Sequence, residues 1–149
     1  MTVRIGFYGA GLITFAHTWF LHQSDEDYDI AAVCDPDVER AEKFAERHGA
    51  KVVDEDELLD LVDAVYITTW TSEHPRLAVK AAQAAKAVFC EKPLAVDGAT
   101  ARAMVAGIDA AGVVNQVGRR MRSLPAPRPV RPPLTDPRAR RPRRQGPPR

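Results

Sequence analysis

The chain has 149 residues, 45% apolar and 28% charged, the balance of an ordinary globular protein with room for one domain. No apolar run approaches the roughly 20 residues that span a bilayer, and the N-terminus runs into a strand-like segment without a signal-peptide core, which excludes a membrane span and points to the cytoplasm. The net charge of +1 hides a division: residues 119–149 hold eleven Arg, one acid (Asp136) and nine of the twelve Pro, whereas residues 1–118 hold ten basic against nineteen acidic residues. The boundary separates an acidic folded body, 1–118, from an Arg/Pro-rich tail, 119–149, that cannot be core.

Val3 to Tyr8 is a short apolar run ending at Gly9 and predicts a buried strand. A helix follows from Leu12 to His22, with an apolar stripe at Leu12, Ile13, Ala16, Trp19 and Phe20. Asp29 to Cys34 is a second strand, and Pro36 suits the first turn of the next helix, whose stripe runs through Val38, Ala41, Phe44 and Ala45 to a stop at His48-Gly49. Lys51 to Val53 is a short third strand. Asp54 to Leu61 is an acidic helix, its aspartates placed to cap free N–H groups. The remaining strands are Ala64–Thr68, Ala87–Cys90 and Val113–Val117; the remaining helices are His74–Ala85, with Pro75 in its first turn, and Gly98–Ala111, stopped by Gly112. Six strands alternating with helices through short connections require right-handed crossovers. The fold class is therefore α/β, a Rossmann-type doubly wound parallel sheet.

In the strand order usual for such sheets, Cys34 and Cys90 end strands three spacings apart, roughly 14 Å, beyond the about 7 Å that a disulfide tolerates. They are expected to remain free thiols. No set of residues at metal-ligand spacing is present, and no metal is expected.

Gly9-Ala10-Gly11-Leu12-Ile13-Thr14 lies between the first strand and first helix. The first glycine permits the tight turn, the second lets the backbone approach a pyrophosphate, and the helix N-terminus offers N–H groups and a partial positive charge. Thr14 stands where the dinucleotide fingerprint has its third glycine, so helix and strand should pack slightly less closely. Read alone, the segment could equally be a plain structural turn. Asp35, 24 residues beyond Gly11, is near the spacing at which an acid binds the adenosine ribose hydroxyls and repels a 2′-phosphate; its alternative is a helix N-cap before Pro36. Arg40, one turn on, could compensate for a 2′-phosphate or be a solvated surface residue. NAD is favoured over NADP. Lys92, in Glu91-Lys92-Pro93 after the fifth strand, could donate to a substrate oxygen while hydride moves, or be an exposed turn lysine.

Taken in order, Gly9-Ala-Gly-Leu-Ile-Thr-Phe-Ala-His17, Ala32-Val-Cys-Asp-Pro36, Tyr66-Ile-Thr-Thr with His74, and Phe89-Cys-Glu-Lys-Pro-Leu94 closely resemble the N-terminal half of the glucose–fructose oxidoreductase/inositol dehydrogenase (Gfo/Idh/MocA) family. The resemblance covers residues 3–118. It implies an NAD(P)-dependent oxidoreductase that moves hydride between nicotinamide and a sugar or polyol. It also implies that Gly9, Gly11, Leu12 and Ile13 line the pyrophosphate and Asp35 the ribose, that Thr68, Thr69 and Trp70 form a wall, that His74 opens the next helix beside the cofactor, that Glu91 approaches the nicotinamide ribose, and that Lys92 is the active-site lysine. Trp70-Thr71-Ser72 departs from the family, which usually has an Asn before the counterpart of His74. His17 is expected to be structural, its imidazole satisfied by neighbouring backbone.

Family members continue into a second, substrate-covering domain, and the Arg/Pro-rich tail has too few apolar residues to form one. The expectation is a Rossmann domain with the substrate domain absent and a disordered tail of polyproline II character. Three origins of the tail compete: a frameshifted or truncated reading frame, a solvated linker, and a nucleic-acid-binding arm. The last has the charge for phosphates but no aromatic for base stacking. The rival to an enzyme is a non-catalytic NAD-binding or interaction module, tethered to nucleic acid through that tail.

Overall fold

The computed structural model describes residues 2–118, and the expectations for residues 119–149 lie outside them. Six strands and five helices alternate: β1 (Val3–Tyr8), α1 (Leu12–Leu21), β2 (Tyr28–Cys34), α2 (Val38–His48), β3 (Lys51–Val52), α3 (Glu55–Leu61), β4 (Ala64–Ile67), α4 (His74–Gln83), β5 (Ala87–Cys90), α5 (Gly98–Ala111) and β6 (Asn115–Val117). The strands pair in parallel in the order β3-β2-β1-β4-β5-β6. This is the expected doubly wound sheet. β1 and β4 separate the strands that carry Cys34 and Cys90, and both thiols are free.

The strand period of two places alternate side chains of β1 in different cores. Ile5 and Phe7 join Ile30, Val33, Ala41, Phe44 and Ala45 in the layer with α2. Tyr8 joins Leu58, Val62, Leu77, Ala81, Met104 and Ile108 in the layer with α3, α4 and α5. Phe7 lies 5.3 Å from the Phe44 ring and 5.0 Å from Tyr66, centroid to centroid. Burying one such ring contributes about 1.5–3 kcal/mol.

Two details differ from the sequence expectation. The apolar stripe of α1 faces outward: Leu12, Ile13, Trp19 and Phe20 are exposed, while Thr14 and Thr18 are buried. Thr14 and Thr18 fit the close helix–sheet contact because their hydroxyls bond to the Gly9 and Phe15 carbonyls. The second is the start of α2. Its N-cap is Asp37, whose carboxylate accepts the Arg40 N–H, so Pro36 lies before the helix and not in its first turn. Both Asp54 and Asp97 cap their helices in the same way.

α3 and α4 are tied by an ion-pair cluster in which Arg76 holds Glu55 with both guanidinium arms at 2.7 Å and Lys80 adds a bond at 3.1 Å. Hydrogen bonding from Arg76, with help from Lys80, draws the Glu55 carboxyl from its ordinary 4.5 down to about 2. A carboxyl depressed by folding stabilises above its unfolded pKa, and the contribution is lost as pH falls through the folded one. Glu55→Gln should therefore destabilise the protein at neutral pH by on the order of 1 kcal/mol for this partly exposed site, and lower its melting temperature. The difference from wild type should shrink by about half or more near pH 3; thermal melts of both proteins across this range would check it.

Candidate functional site

The parallel register aligns the residues that follow the central strands. Gly9 N–H donates to the Cys34 carbonyl at 2.8 Å, Thr68 N–H to Tyr8 at 2.9 Å, Glu91 N–H to Ile67 at 3.0 Å and Gly118 N–H to Cys90 at 2.8 Å. Asp35, Gly9, Thr68, Glu91 and Gly118 thus form one row across the carboxyl edge of the sheet. Ligands of open α/β sheets bind beyond that edge, where the chain reverses direction between β1 and β4.

Gly9 has a φ of +100°, and a Cβ on it would stand 3.0 Å from the Thr68 carbonyl and the Thr69 nitrogen. Only glycine fits that turn. Gly11 differs, for a Cβ there would meet nothing within 4 Å. No contact within the described chain requires it to be bare, and its lack of a side chain leaves the backbone open to something outside. α1 begins at this point with no capping side chain and no acid in its first turn, in contrast to the Asp-capped α2, α3 and α5. Open N–H groups, a positive helix end and a bare glycine fit a pyrophosphate.

Thr14 closes the turn from beneath. Its hydroxyl donates to the Gly9 carbonyl at 2.9 Å and lies 2.8 Å from the Thr68 hydroxyl, which also contacts the Tyr8 and Gly9 carbonyls. Hydroxyls therefore do here what a third glycine does by proximity. Thr68 is buried with its hydroxyl turned inward, so it supports the turn and does not present its side chain at the edge.

Asp35 is not the N-cap of α2. Its side chain is only 5% exposed; one oxygen accepts the Ala10 N–H at 2.7 Å and the other the Asp37 N–H at 2.9 Å. Each carboxylate oxygen keeps lone-pair capacity for a further donor. Arg40 is not a free surface residue: its guanidinium pairs with Asp37 at 3.0 Å and approaches Asp35 to 3.8 Å.

Beyond β4, Thr69 is half-buried and Trp70 is 79% exposed; beside the glycine turn, Leu12 is 89% exposed. His74, buried at the start of α4, lies with Nδ1 at 2.8 Å from the Pro93 carbonyl and Nε2 at 3.2 Å from the Thr69 carbonyl, bridging the loops after β4 and β5. The Glu91 carboxylate also points inward. One of its oxygens meets His17 Nε2 at 2.8 Å and the other accepts the Lys92 N–H at 2.8 Å. This corrects the expectation for His17: its partner is a carboxylate from another strand and not neighbouring backbone. The ring also packs edge-on to Phe89, 4.9 Å away, which holds α1 against the end of β5. Lys92 itself is exposed, and among the described residues its ammonium has no ion-pair partner.

The expected residues thus fall into two groups. Gly9, Gly11, Leu12, Ile13, Asp35, Thr69, Trp70 and Lys92 lie along the edge, with Arg40 beside Asp35, whereas Thr68, His74 and Glu91 are buttresses whose side chains serve the backbone and its neighbours. Sequence reasoning missed Asp37; the signal available was an Asp directly before the apolar stripe of α2. Among the described residues no cluster of three or more metal-ligating side chains occurs, and no helix is long and apolar enough to cross a membrane.

The chain is 39% identical over 102 residues to inositol 2-dehydrogenase 3 of Saccharopolyspora erythraea, covering 65% of this chain and 30% of that protein. It is 39% identical over 105 residues to an inositol 2-dehydrogenase of Rhizobium meliloti, covering 69% and 32%. Among solved structures it resembles the WlbA dehydrogenase of Bordetella pertussis in complex with NADH and UDP-GlcNAcA, with a TM-score of 0.73, 28% identity and coverage of 78% and 37%. A 3-ketoreductase of Actinomadura kijaniata in complex with NADP and TDP-benzene gives a TM-score of 0.70, 26% identity and coverage of 79% and 37%. The chain spans about a third of the length of the curated relatives it matches. The family model described as an oxidoreductase family with an NAD-binding Rossmann fold matches residues 3–119. With its sheet order, its glycine turn and its Glu-Lys-Pro corner in their places, the chain belongs to the Gfo/Idh/MocA oxidoreductase family, of which it carries the NAD-binding Rossmann domain.

Proposed function

We propose that residues 2–118 are the cofactor-binding half of a cytoplasmic oxidoreductase that prefers NAD to NADP and acts on a hydroxyl or carbonyl of a sugar or polyol. The observation that carries this reading is the aligned row Asp35–Gly9–Thr68–Glu91, with Gly11 open at one end and Lys92 exposed at the other. The row is bounded by Leu12, Ile13 and Trp70, apolar side chains that a dinucleotide would cover. Gly9, Gly11, Leu12 and Ile13 would take the pyrophosphate on the N-terminus of α1, and Asp35 the adenosine ribose. Thr69 and Trp70 would flank the nicotinamide half, with Thr68 and His74 fixing the loop that carries them.

When bound, nicotinamide supplies a two-electron hydride donor or acceptor. In carbonyl reduction Lys92 Nζ would hydrogen-bond the substrate oxygen and give it a proton; in alcohol oxidation a neutral Nζ would take that proton back. Glu91 contributes by position: its carboxylate holds the Lys92 N–H, so the corner bearing the lysine is pinned to α1 through His17. A non-catalytic NAD-binding module remains the rival from another class, and the ten net positive charges of residues 119–149 give it a route to nucleic acid.

Titration calorimetry should show tighter binding of NAD than NADP, and Asp35→Ala should narrow the gap to within about threefold; equal constants in wild type would overturn the preference. The chain by itself should bind cofactor yet form NADH from inositol or glucose at well below about 1 s⁻¹, the low end of ordinary enzymes. Salt-sensitive retention of duplex DNA by the full chain, lost on removal of residues 119–149, would favour the rival.

A further inference from the structure

We infer that Asp37 is a specificity-determining residue: by gripping Arg40 it withholds from an NADP 2′-phosphate the guanidinium that lies beside Asp35. The inference rests on the reading of Asp35 as the ribose partner and extends it to a residue outside that contact. Asp37 acts at three points. Its backbone N–H holds one Asp35 oxygen at 2.9 Å, its Oδ1 accepts the Arg40 N–H at 3.1 Å, and its Oδ2 pairs with the Arg40 guanidinium at 3.0 Å. That second carboxylate contact orients Arg40 so that its other arm reaches 3.8 Å from the buried Asp35 carboxylate. An arginine in this place, with five N–H donors in a planar fork, is what phosphate recognition uses. Here its charge is already matched.

The balance of charge decides the outcome. Asp35, Asp37 and Arg40 together carry a net charge of −1, and a phosphate monoester brings close to two more negative charges. On the same helix, Glu39 and Lys43 pair at 2.6 Å, so the Lys43 charge is likewise already matched. Neutralising Asp37 would leave Asp35 and Arg40 balanced and free the guanidinium to turn outward. Both Asp37 and Arg40 are about half exposed, so the ion pair is held weakly enough to be replaced by a phosphate once its acidic partner is gone. Asparagine is as good an N-cap as aspartate, so the substitution Asp37→Asn separates the charge from the cap.

The experiment is titration of the full chain with NAD and with NADP, for wild type, Asp37→Asn, Asp37→Ser, Arg40→Ala and the double variant Asp37→Asn/Arg40→Ala. Asp37→Asn should tighten NADP binding about tenfold, as expected when the released Arg40 guanidinium meets a doubly charged phosphate at close range in a largely aqueous setting. The NAD constant should move less than about threefold, and the melting temperature should stay close to wild type because the cap is kept. Serine, also a capping residue, should reproduce the gain, and the double variant should abolish it. A change in the NADP-to-NAD ratio of less than about twofold in both Asp37 variants, or a gain that survives loss of Arg40, would overturn the role given to Asp37 alone. Binding of neither nucleotide by wild type, or a ratio indifferent to Asp35→Ala, would instead remove the ribose reading and this inference with it.

Discussion

The Asp35 carboxylate accepting the Ala10 N–H at 2.7 Å joins the turn after β1 to the turn after β2, at the edge where a ligand approaches. A glycine turn has no side chains with which to hold itself, and Gly9 adopts a backbone conformation that most residues avoid. It persists because neighbours on both sides determine it. Asp35 holds it from β2, the Thr14 and Thr68 hydroxyls hold it from α1 and β4, and the Gly9 N–H completes the sheet ladder to Cys34. Since every other edge residue is aligned by the same ladder, the positions of Asp35, Thr68 and Glu91 all refer to that turn. Buried hydroxyls in such a net are satisfied in full, and that is the condition under which polar groups can sit beneath a site without cost to stability.

The parallel sheet, its order and nearly all element positions were legible in the sequence because they follow from local signals: apolar runs of strand length, helical spacing, and stops at Gly49 and Gly112. The glycine turn and Asp35 were legible for the same reason, since their spacing along the chain encodes a spacing across adjacent strands. What was not legible depended on partners distant in sequence. His17 and Glu91 are 74 residues apart, and only the fold brings them together; composition around His17 suggests a local backbone partner. The face of α1 was misjudged because a helix in close contact with a sheet can bury small threonines and leave its larger apolar side chains outside, against the usual periodic rule. Whether Asp35 caps a helix depends on where α2 starts, and it starts at Val38 with Asp37 in the capping place.

The buttressing groups divide the labour between chemistry and geometry. Residues at the edge, such as Leu12 and Lys92, have few partners in the chain and are free to meet a ligand. Those one layer in, such as Thr14, His17 and Glu91, spend their polar atoms on the backbone or on each other. A site built this way is ordered before anything binds, and preorganisation of that kind reduces the entropy lost on association.

His74 carries one more consequence. Its two ring nitrogens lie against carbonyl oxygens from two separate loops, after β4 and after β5. The loop that carries Trp70 and the corner that carries Lys92 therefore share one buried anchor, a residue that itself does not reach the surface.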